Sequence, residues 1–291
     1  MRKIKILAAA AALSILTSCG VSTDEPSDTG SDKIQVYTSF YAMYDLTRAI
    51  AGDSADVYNL CPTGSEPHDF EPTAAEMAEL TDADVFIYNG MHMEPWTDSV
   101  SETLSGSDVI IVEASADVPH VTENYDPHVW LDPENAYAQM EAIANALIQA
   151  DPGNRGYYTA RLEECRGKID KLDDDYKTAV SGFSSHLIIT SHEAYMNLCD
   201  AYGLIQTAVN GVDNSEDPTP TRMAEIEELI NANNIKYIFT EPLSTSKIVE
   251  TIAEDTGCDI LVLDPFEGST EDKDYFTVMY ENLEALKTAL S

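Results

Sequence analysis

The chain has 291 residues, enough for two modest folded lobes. It carries 16 lysines and arginines against 52 aspartates and glutamates, a formal net charge of −36. Nucleic acid and anionic lipid surfaces would repel so acidic a chain, so both are discounted as binding partners.

Residues 1–19 have the pattern of a bacterial export signal. A short basic region, Arg2 to Lys5, precedes the apolar run Ile6 to Leu16, which is too short to span a bilayer permanently. The run leads into Leu-Thr-Ser-Cys-Gly, which resembles the lipobox, where the cysteine is lipidated after cleavage. We therefore predict a lipoprotein signal peptide, an extracytoplasmic location and a lipid anchor to the cell membrane on Cys19. An ordinary signal peptide with an incidental cysteine is the alternative.

Residues 20–32 are rich in Ser, Thr, Asp, Gly and Pro and are expected to form a flexible tether. After them, short apolar runs alternate with segments of helical periodicity, a pattern typical of β-α-β units with parallel sheets. The predicted strands are Ile34 to Ser39, Ala55 to Cys61, Asp84 to Tyr88, Val109 to Glu113, His186 to Thr190, Lys236 to Thr240 and Asp259 to Leu263. The predicted shorter helices are Tyr41 to Ala51, Pro133 to Ala150, His192 to Tyr202, Pro220 to Asn231 and Ser246 to Thr256.

A long, charged, helix-favouring stretch, 154–182, separates the two halves of the chain. Its apolar residues recur at helical spacing, at Leu162, Cys165, Ile169 and Leu172. We therefore predict an α/β fold with two similar lobes, 33–153 and 183–291, whose parallel sheets are flanked by helices. The long helix is expected to join the two lobes.

Four cysteines follow the predicted tether, and their wide spacing excludes a Cys-x-x-Cys zinc module. They are Cys61, Cys165, Cys199 and Cys258. A disulfide such as Cys199 to Cys258 and buried free thiols are both compatible with the sequence.

Three of the six histidines lie in structured contexts at loop edges. His68 lies in Ser-Glu-Pro-His-Asp-Phe-Glu-Pro, His128 lies in Asp-Pro-His-Val-Trp-Leu-Asp-Pro, and His192 follows a predicted strand. His192 and Asp264 come at the carboxyl ends of strands, where ligand sites of open α/β sheets gather. Neutral imidazole is the commonest protein ligand of zinc-like ions, so the sequence predicts one metal site in the cleft between the lobes.

These motifs, in this order, resemble the zinc- and manganese-binding receptors of bacterial ABC transporters, the ZnuA/TroA-like family. The resemblance covers nearly all of the chain after Lys33, and its two proline-flanked histidine motifs are specific. It continues in Asn-Gly at 89–90, Glu-Pro-Trp at 94–96, Ser-His-Glu-Ala-Tyr at 191–195, Phe-Thr-Glu-Pro at 239–242 and Leu-Asp-Pro-Phe at 263–266. It implies a monomeric receptor, not an enzyme, that delivers a divalent metal to an ABC permease and its ATPase.

In this chain the family's metal ligands correspond to His68, His128, His192 and Asp264. Glu66 and Glu267 also lie near the expected site, so either of them, or a water, could replace Asp264. Three imidazoles and one carboxylate suit zinc, whereas manganese prefers more oxygen donors. We therefore expect zinc as the ion, with manganese as the alternative. Because imidazole binds metal in its neutral form, affinity is expected to fall below about pH 6.5.

Two other classes of function are compatible with parts of the sequence. A zinc hydrolase would use three histidines and an open coordination position to activate water. However, Met196 stands where a His-Glu-x-x-His motif beginning at His192 requires its second histidine. A surface adhesin is compatible with the lipid anchor, although no sequence feature predicts a host ligand.

Overall fold

The computed structural model describes residues 33–121, 126–212, 218–242, 247–268 and 273–291. Residues 33–291 form one compact unit. The predicted signal peptide and tether lie outside the described residues, so the lipid anchor on Cys19 stays a prediction.

Strands and helices alternate along the described chain. The strands are β1 (Ile34–Thr38), β2 (Ala55–Asn59), β3 (Val85–Tyr88), β4 (Ile110–Glu113), β5 (Leu187–Thr190), β6 (Ile205–Ala208), β7 (Tyr237–Thr240) and β8 (Asp259–Val262). The α-helices are α1 (Tyr41–Ala51), α2 (Ala74–Glu79), α3 (Thr97–Thr103), α4 (Pro133–Ala150), α5 (Arg155–Val180), α6 (Met196–Tyr202), α7 (Pro220–Asn233), α8 (Lys247–Thr256) and α9 (Tyr275–Leu290).

The strands form two parallel four-stranded sheets with equivalent strand orders, β2-β1-β3-β4 and β6-β5-β7-β8. In the first sheet Val36 lies opposite both Val57 and Val85, so the central strand β1 pairs on both sides. Because all strands of a sheet run parallel, their carboxyl ends share one edge, where the following loops gather. The predicted fold class, an α/β protein with two parallel-sheet lobes, is confirmed.

Helix α5 runs for 26 residues between the two sheets in the sequence and packs against α1, α4 and α9. Its apolar stripe is buried as predicted at Cys165, Ile169 and Leu172, whereas Leu162 is only partly buried. These residues belong to a core cluster that extends from Val36 in β1 to Leu290 in α9. Both sheets contribute to this cluster, and two smaller clusters, one around Ile189 and Ile238 and one around Leu60 and Phe86, lie apart from it.

The prediction that a helix begins at His192 is wrong, because α6 begins at Met196. Residues 191–195 instead form a loop after β5. The start of α6 is capped from far away in the chain, since the carboxylate of Asp126 accepts hydrogen bonds from the amides of Met196 (3.1 Å) and Asn197 (3.3 Å). A cap that is 70 residues distant leaves no local signal.

Strand β6 and the helices α2, α3 and α9 were not predicted. Helix α2 has no buried residue and begins with a capping box between Thr73 and Glu76. The start of α2 is marked by this cap and not by an apolar stripe. The spacing of apolar residues in the sequence therefore does not predict this helix.

The four cysteines of the described residues are buried free thiols. The Cys199–Cys258 disulfide considered from the sequence is therefore not formed. Among the helices that the structure describes, none combines the length and apolar character needed to cross a membrane.

Candidate metal centre

Four potential metal ligands converge from four segments that each follow a strand. His68 lies in the loop after β2, and His128 precedes a short 3₁₀ turn after β4. His192 follows β5 directly, and Glu267 lies in the turn after β8. One nitrogen or carboxylate oxygen from each of them lies within 4.8 Å of the others. The carboxyl ends of both sheets therefore contribute to one cluster, called here the His3Glu cluster.

The donor atoms of the His3Glu cluster point at one another. Nε2 of His128 lies 2.7 Å from Oε1 of Glu267 and 3.3 Å from Nε2 of His68. Nε2 of His192 lies 3.7 Å from the same Glu267 oxygen. His128, His192 and Glu267 are buried, whereas His68 is only partly buried, so the cluster is closest to solvent on its His68 side.

One buried atom shows that this cluster suits a cation. Nε2 of His192 lacks a hydrogen-bond partner of acceptable geometry among the described residues. Leaving a buried polar atom unsatisfied costs about 1–3 kcal/mol. A divalent ion with nitrogen and oxygen ligands would satisfy this nitrogen, and three imidazoles with one carboxylate are a ligand set that suits zinc.

The other nitrogen of each buried imidazole is held by a carboxylate. Nδ1 of His128 lies 2.6 Å from Oδ1 of Asp126, which also accepts a hydrogen bond from the His128 amide (3.0 Å). Nδ1 of His192 pairs with Glu241, which also accepts a hydrogen bond from Ser191 Oγ (3.0 Å). These partners fix the ring orientation and leave Nε2 as the metal-facing atom. Neither carboxylate was singled out from the sequence as such a partner.

The carboxylates of the cluster stabilise the protonated histidines, and the histidines stabilise the ionised Glu267. Burial opposes protonation of His128, but the carboxylates of Asp126 and Glu267 outweigh it and raise its pKa to about 10. Burial also opposes protonation of His192, yet Glu241 and Glu267 raise its pKa. Burial disfavours ionised Glu267, but the surrounding histidines hold the pKa of that carboxyl well below its usual range. The ion-free cluster therefore holds protons on imidazoles that a metal ion would displace.

Asp264, the carboxylate predicted as the fourth ligand, is not among the four clustered side chains. Its Oδ1 accepts a hydrogen bond from the amide of Phe266 (2.8 Å). Glu267, one of the alternatives from the sequence, occupies the position beside the histidines instead. Glu66, the other alternative, lies next to Glu267, and burial followed by the charge of Glu267 raises its pKa.

The sequence model of the ZnuA family, described as "Zinc-uptake complex component A periplasmic", matches residues 36–289. The chain belongs to the ZnuA family. This family consists of solute-binding receptors rather than enzymes, in agreement with the receptor that the sequence predicts.

Two relatives of this ZnuA-family chain are named for zinc uptake and for zinc binding. The chain is 33% identical to the high-affinity zinc uptake system protein ZnuA of Bacillus subtilis, over 97% of the chain and 95% of that relative. It is 33% identical to the zinc-binding protein AdcA of Streptococcus pyogenes, over 88% of the chain but 56% of that relative. The ZnuA-family chain thus spans about half the length of AdcA.

Solved structures of the family have the same fold. The metal-dependent lipoprotein YcdH of Bacillus subtilis matches with a TM-score of 0.81 and 33% identity, over 89% of this chain and 100% of that one. The Zn(II)-bound ZnuA-like domain of Streptococcus pneumoniae AdcA matches with a TM-score of 0.79 and 32% identity, over 88% and 98%. The laminin-binding protein Lmb of Streptococcus agalactiae, described as having adhesin and metal-transporting activity, matches with a TM-score of 0.82 and 31% identity, over 89% and 100%.

Proposed function

We propose that this chain is an extracytoplasmic receptor that binds one zinc ion with high affinity and delivers it to an ABC permease for uptake. The observation that carries the proposal is the His3Glu cluster, in which four donor atoms lie within 4.8 Å of one another. The names of relatives, a zinc uptake protein and a Zn(II)-bound domain, support zinc as the cargo.

The proposed ligands are His68, His128, His192 and Glu267. This set replaces Asp264 with Glu267, because among the carboxylates that the structure describes it is Glu267 that places an oxygen with the imidazole nitrogens. Three nitrogen donors and one oxygen donor favour zinc over manganese, which prefers oxygen-rich, higher-coordinate sites. A set of four protein ligands also leaves no position for the metal-bound water that hydrolysis would need.

Binding follows from the chemistry of these ligands. The hydrated ion enters from the His68 side, where the cluster is least buried, and exchanges its water for imidazole nitrogens and the Glu267 oxygen. Protons held on the buried histidines leave as the ion binds. Asp126 and Glu241, on the far sides of two rings, keep Nε2 aimed at the ion.

We further propose that the chain is a monomer anchored to the membrane by lipid on Cys19, next to its permease and ATPase. Relatives in Streptococcus pneumoniae are named zinc-binding lipoproteins, which supports an anchored, extracytoplasmic location. A lipidated chain can stay on the membrane surface without crossing it.

Calorimetric titration of the purified, metal-free protein tests the proposal. We expect one tight equivalent of zinc and much weaker binding of manganese. Replacing His68, His128 or His192 by alanine should weaken zinc binding strongly, whereas the exposed His186, replaced by alanine, is a matched control that should not. Tighter binding of manganese than of zinc would overturn the assignment of zinc as the cargo. Absence of tight binding of both ions, or full zinc affinity in all three ligand variants, would overturn the proposed receptor function.

Adhesion is a second candidate function, favoured by the structural likeness to laminin-binding proteins. Binding of the purified protein to immobilised laminin tests it directly. Laminin binding that survives the His192→Ala substitution would identify a function separate from the metal cluster, and no binding would exclude laminin as a partner.

A further inference from the structure

The turn that carries Glu267 has an unusual backbone conformation. Phe266, the preceding residue, has a φ of +61°, in the left-handed region. Side chains with a Cβ are disfavoured in this region, and a bulky aromatic residue there is a genuine outlier. Such a conformation persists only where the surrounding structure holds it in place.

Hydrogen bonds hold the chain on the N-terminal side of Phe266. Oδ1 of Asp264 accepts a hydrogen bond from the Phe266 amide at 2.8 Å. The indole Nε1 of Trp130 donates to the carbonyl of Pro265, also at 2.8 Å. The carboxamide of Asn282, in α9, in turn binds both the amide (2.8 Å) and the carbonyl (2.7 Å) of Asp264. Asp264 is therefore fixed at its backbone while its carboxylate fixes Phe266.

The aromatic ring of Phe266 is buried, and its packing stabilises the left-handed conformation. It packs edge-on against Tyr41, with centroids 5.3 Å apart, and against Tyr275, with centroids 5.8 Å apart. A backbone that relaxed to an ordinary φ would withdraw this ring from the core. The same change would redirect the next peptide unit, from which Glu267 projects.

We propose that Asp264 is a positioning residue of the metal site and not a ligand. Its carboxylate fixes the peptide unit that leads into Phe266. With the ring of Phe266 anchored in the core, this keeps the left-handed turn that presents Glu267 to the histidines. In the structure the Glu267 carboxylate reaches Nε2 of His128 at 2.7 Å, whereas Asp264 is outside the cluster. The inference rests on the proposed zinc-binding function, with Glu267 as the fourth ligand.

Two substitutions at Asp264 separate positioning from coordination. Asp264→Asn keeps an oxygen that can accept the Phe266 amide, so zinc affinity should stay close to that of the unchanged protein. Asp264→Ala removes the acceptor and should weaken zinc binding by about 10–100-fold, the usual cost of losing a residue that orients a ligand. Equal losses in both variants, or no loss in Asp264→Ala, would overturn the proposal.

Cobalt(II) bound in place of zinc provides a readout that a general loss of stability would not move. Its visible absorption reports the ligand set, so the saturated Asp264→Asn and Asp264→Ala variants should keep the spectrum of the unchanged protein, while Glu267→Gln should alter it. An altered spectrum in Asp264→Asn would make Asp264 a ligand. Absence of zinc or cobalt binding by the unchanged protein would instead defeat the proposed function itself.

Discussion

His128 is the residue whose surroundings change its chemistry most clearly. It is fully buried between Asp126 and Glu267, and these carboxylates raise its pKa to about 10 against the opposing effect of burial. The ion-free protein therefore keeps His128 protonated at neutral pH. The expectation from the sequence, that affinity falls only below about pH 6.5, used the unperturbed pKa of histidine. With the raised pKa of His128, zinc affinity is expected to depend on pH above 6.5 as well.

We expect zinc affinity to rise from about pH 6 to about pH 8.5 without levelling off near neutrality, because zinc competes with a proton on His128 throughout this range. Binding at neutral pH should release about one proton from this residue. Titrations in buffers of different ionisation enthalpy measure the number released. Asp126→Asn removes one of the two carboxylates that raise the pKa, so proton release should fall. A constant affinity above pH 7 without proton release would contradict a protonated His128.

At the scale of elements, two glycines with open surroundings differ in backbone conformation. Gly167 lies inside α5, and Gly203 ends α6 in the left-handed conformation, with a φ of +68°. A Cβ added at either position would meet no atom within 4 Å. The pair therefore isolates the backbone effect of glycine from any steric effect of its neighbours.

Gly167→Ala should raise the free energy of unfolding by about 1 kcal/mol, because alanine is the better residue in a helix interior. Gly203→Ala should lower it by about 1–2 kcal/mol, because alanine disfavours the left-handed conformation. Urea denaturation of the metal-free protein measures both changes, and zinc affinity should be unchanged. Changes of the same sign in the free energy of unfolding of the two variants would contradict the explanation from backbone conformation.

The elements also show which boundaries can be read locally. Both ends of α4 agree with the prediction, since Asp132 accepts a hydrogen bond from the Glu134 amide (2.9 Å) and Pro133 occupies the first helical position. The start of α6 was misplaced because its cap, Asp126, belongs to a distant segment. Local caps are visible in a sequence, and tertiary caps are not.

At the scale of the whole molecule, the main apolar cluster contains residues of both sheets. Helix α5 contributes Ile169, Leu172 and Tyr176 to a cluster that also contains residues of β1 and α9. Tyr176 donates a hydrogen bond from its hydroxyl to the carbonyl of Met279 (2.7 Å). Unfolding either lobe alone would expose part of this common interior.

We therefore expect the metal-free protein to unfold in one cooperative transition in scanning calorimetry. Zinc should raise the transition temperature by an amount that grows with its free concentration, because it binds the folded state. His192→Ala should keep the single transition and lose most of the zinc-dependent shift. Two separate transitions in the metal-free protein would show that the lobes unfold independently.

The sequence by itself determined the fold class and the three histidines that come together. Alternating apolar runs predict parallel sheets, and the proline-flanked motifs around His68 and His128 are local patterns. His192 could be placed because its strand is readable and ligand sites gather at carboxyl ends of strands.

Only the tertiary structure decided which carboxylate faces the histidines. Asp264 and Glu267 are three residues apart, and a strand-end carboxylate was the natural choice from the sequence. The left-handed Phe266 turns the chain so that Glu267 reaches the cluster. That turn depends on hydrogen bonds to Trp130 and Asn282, and contacts between residues so far apart in the chain leave no pattern in the local sequence.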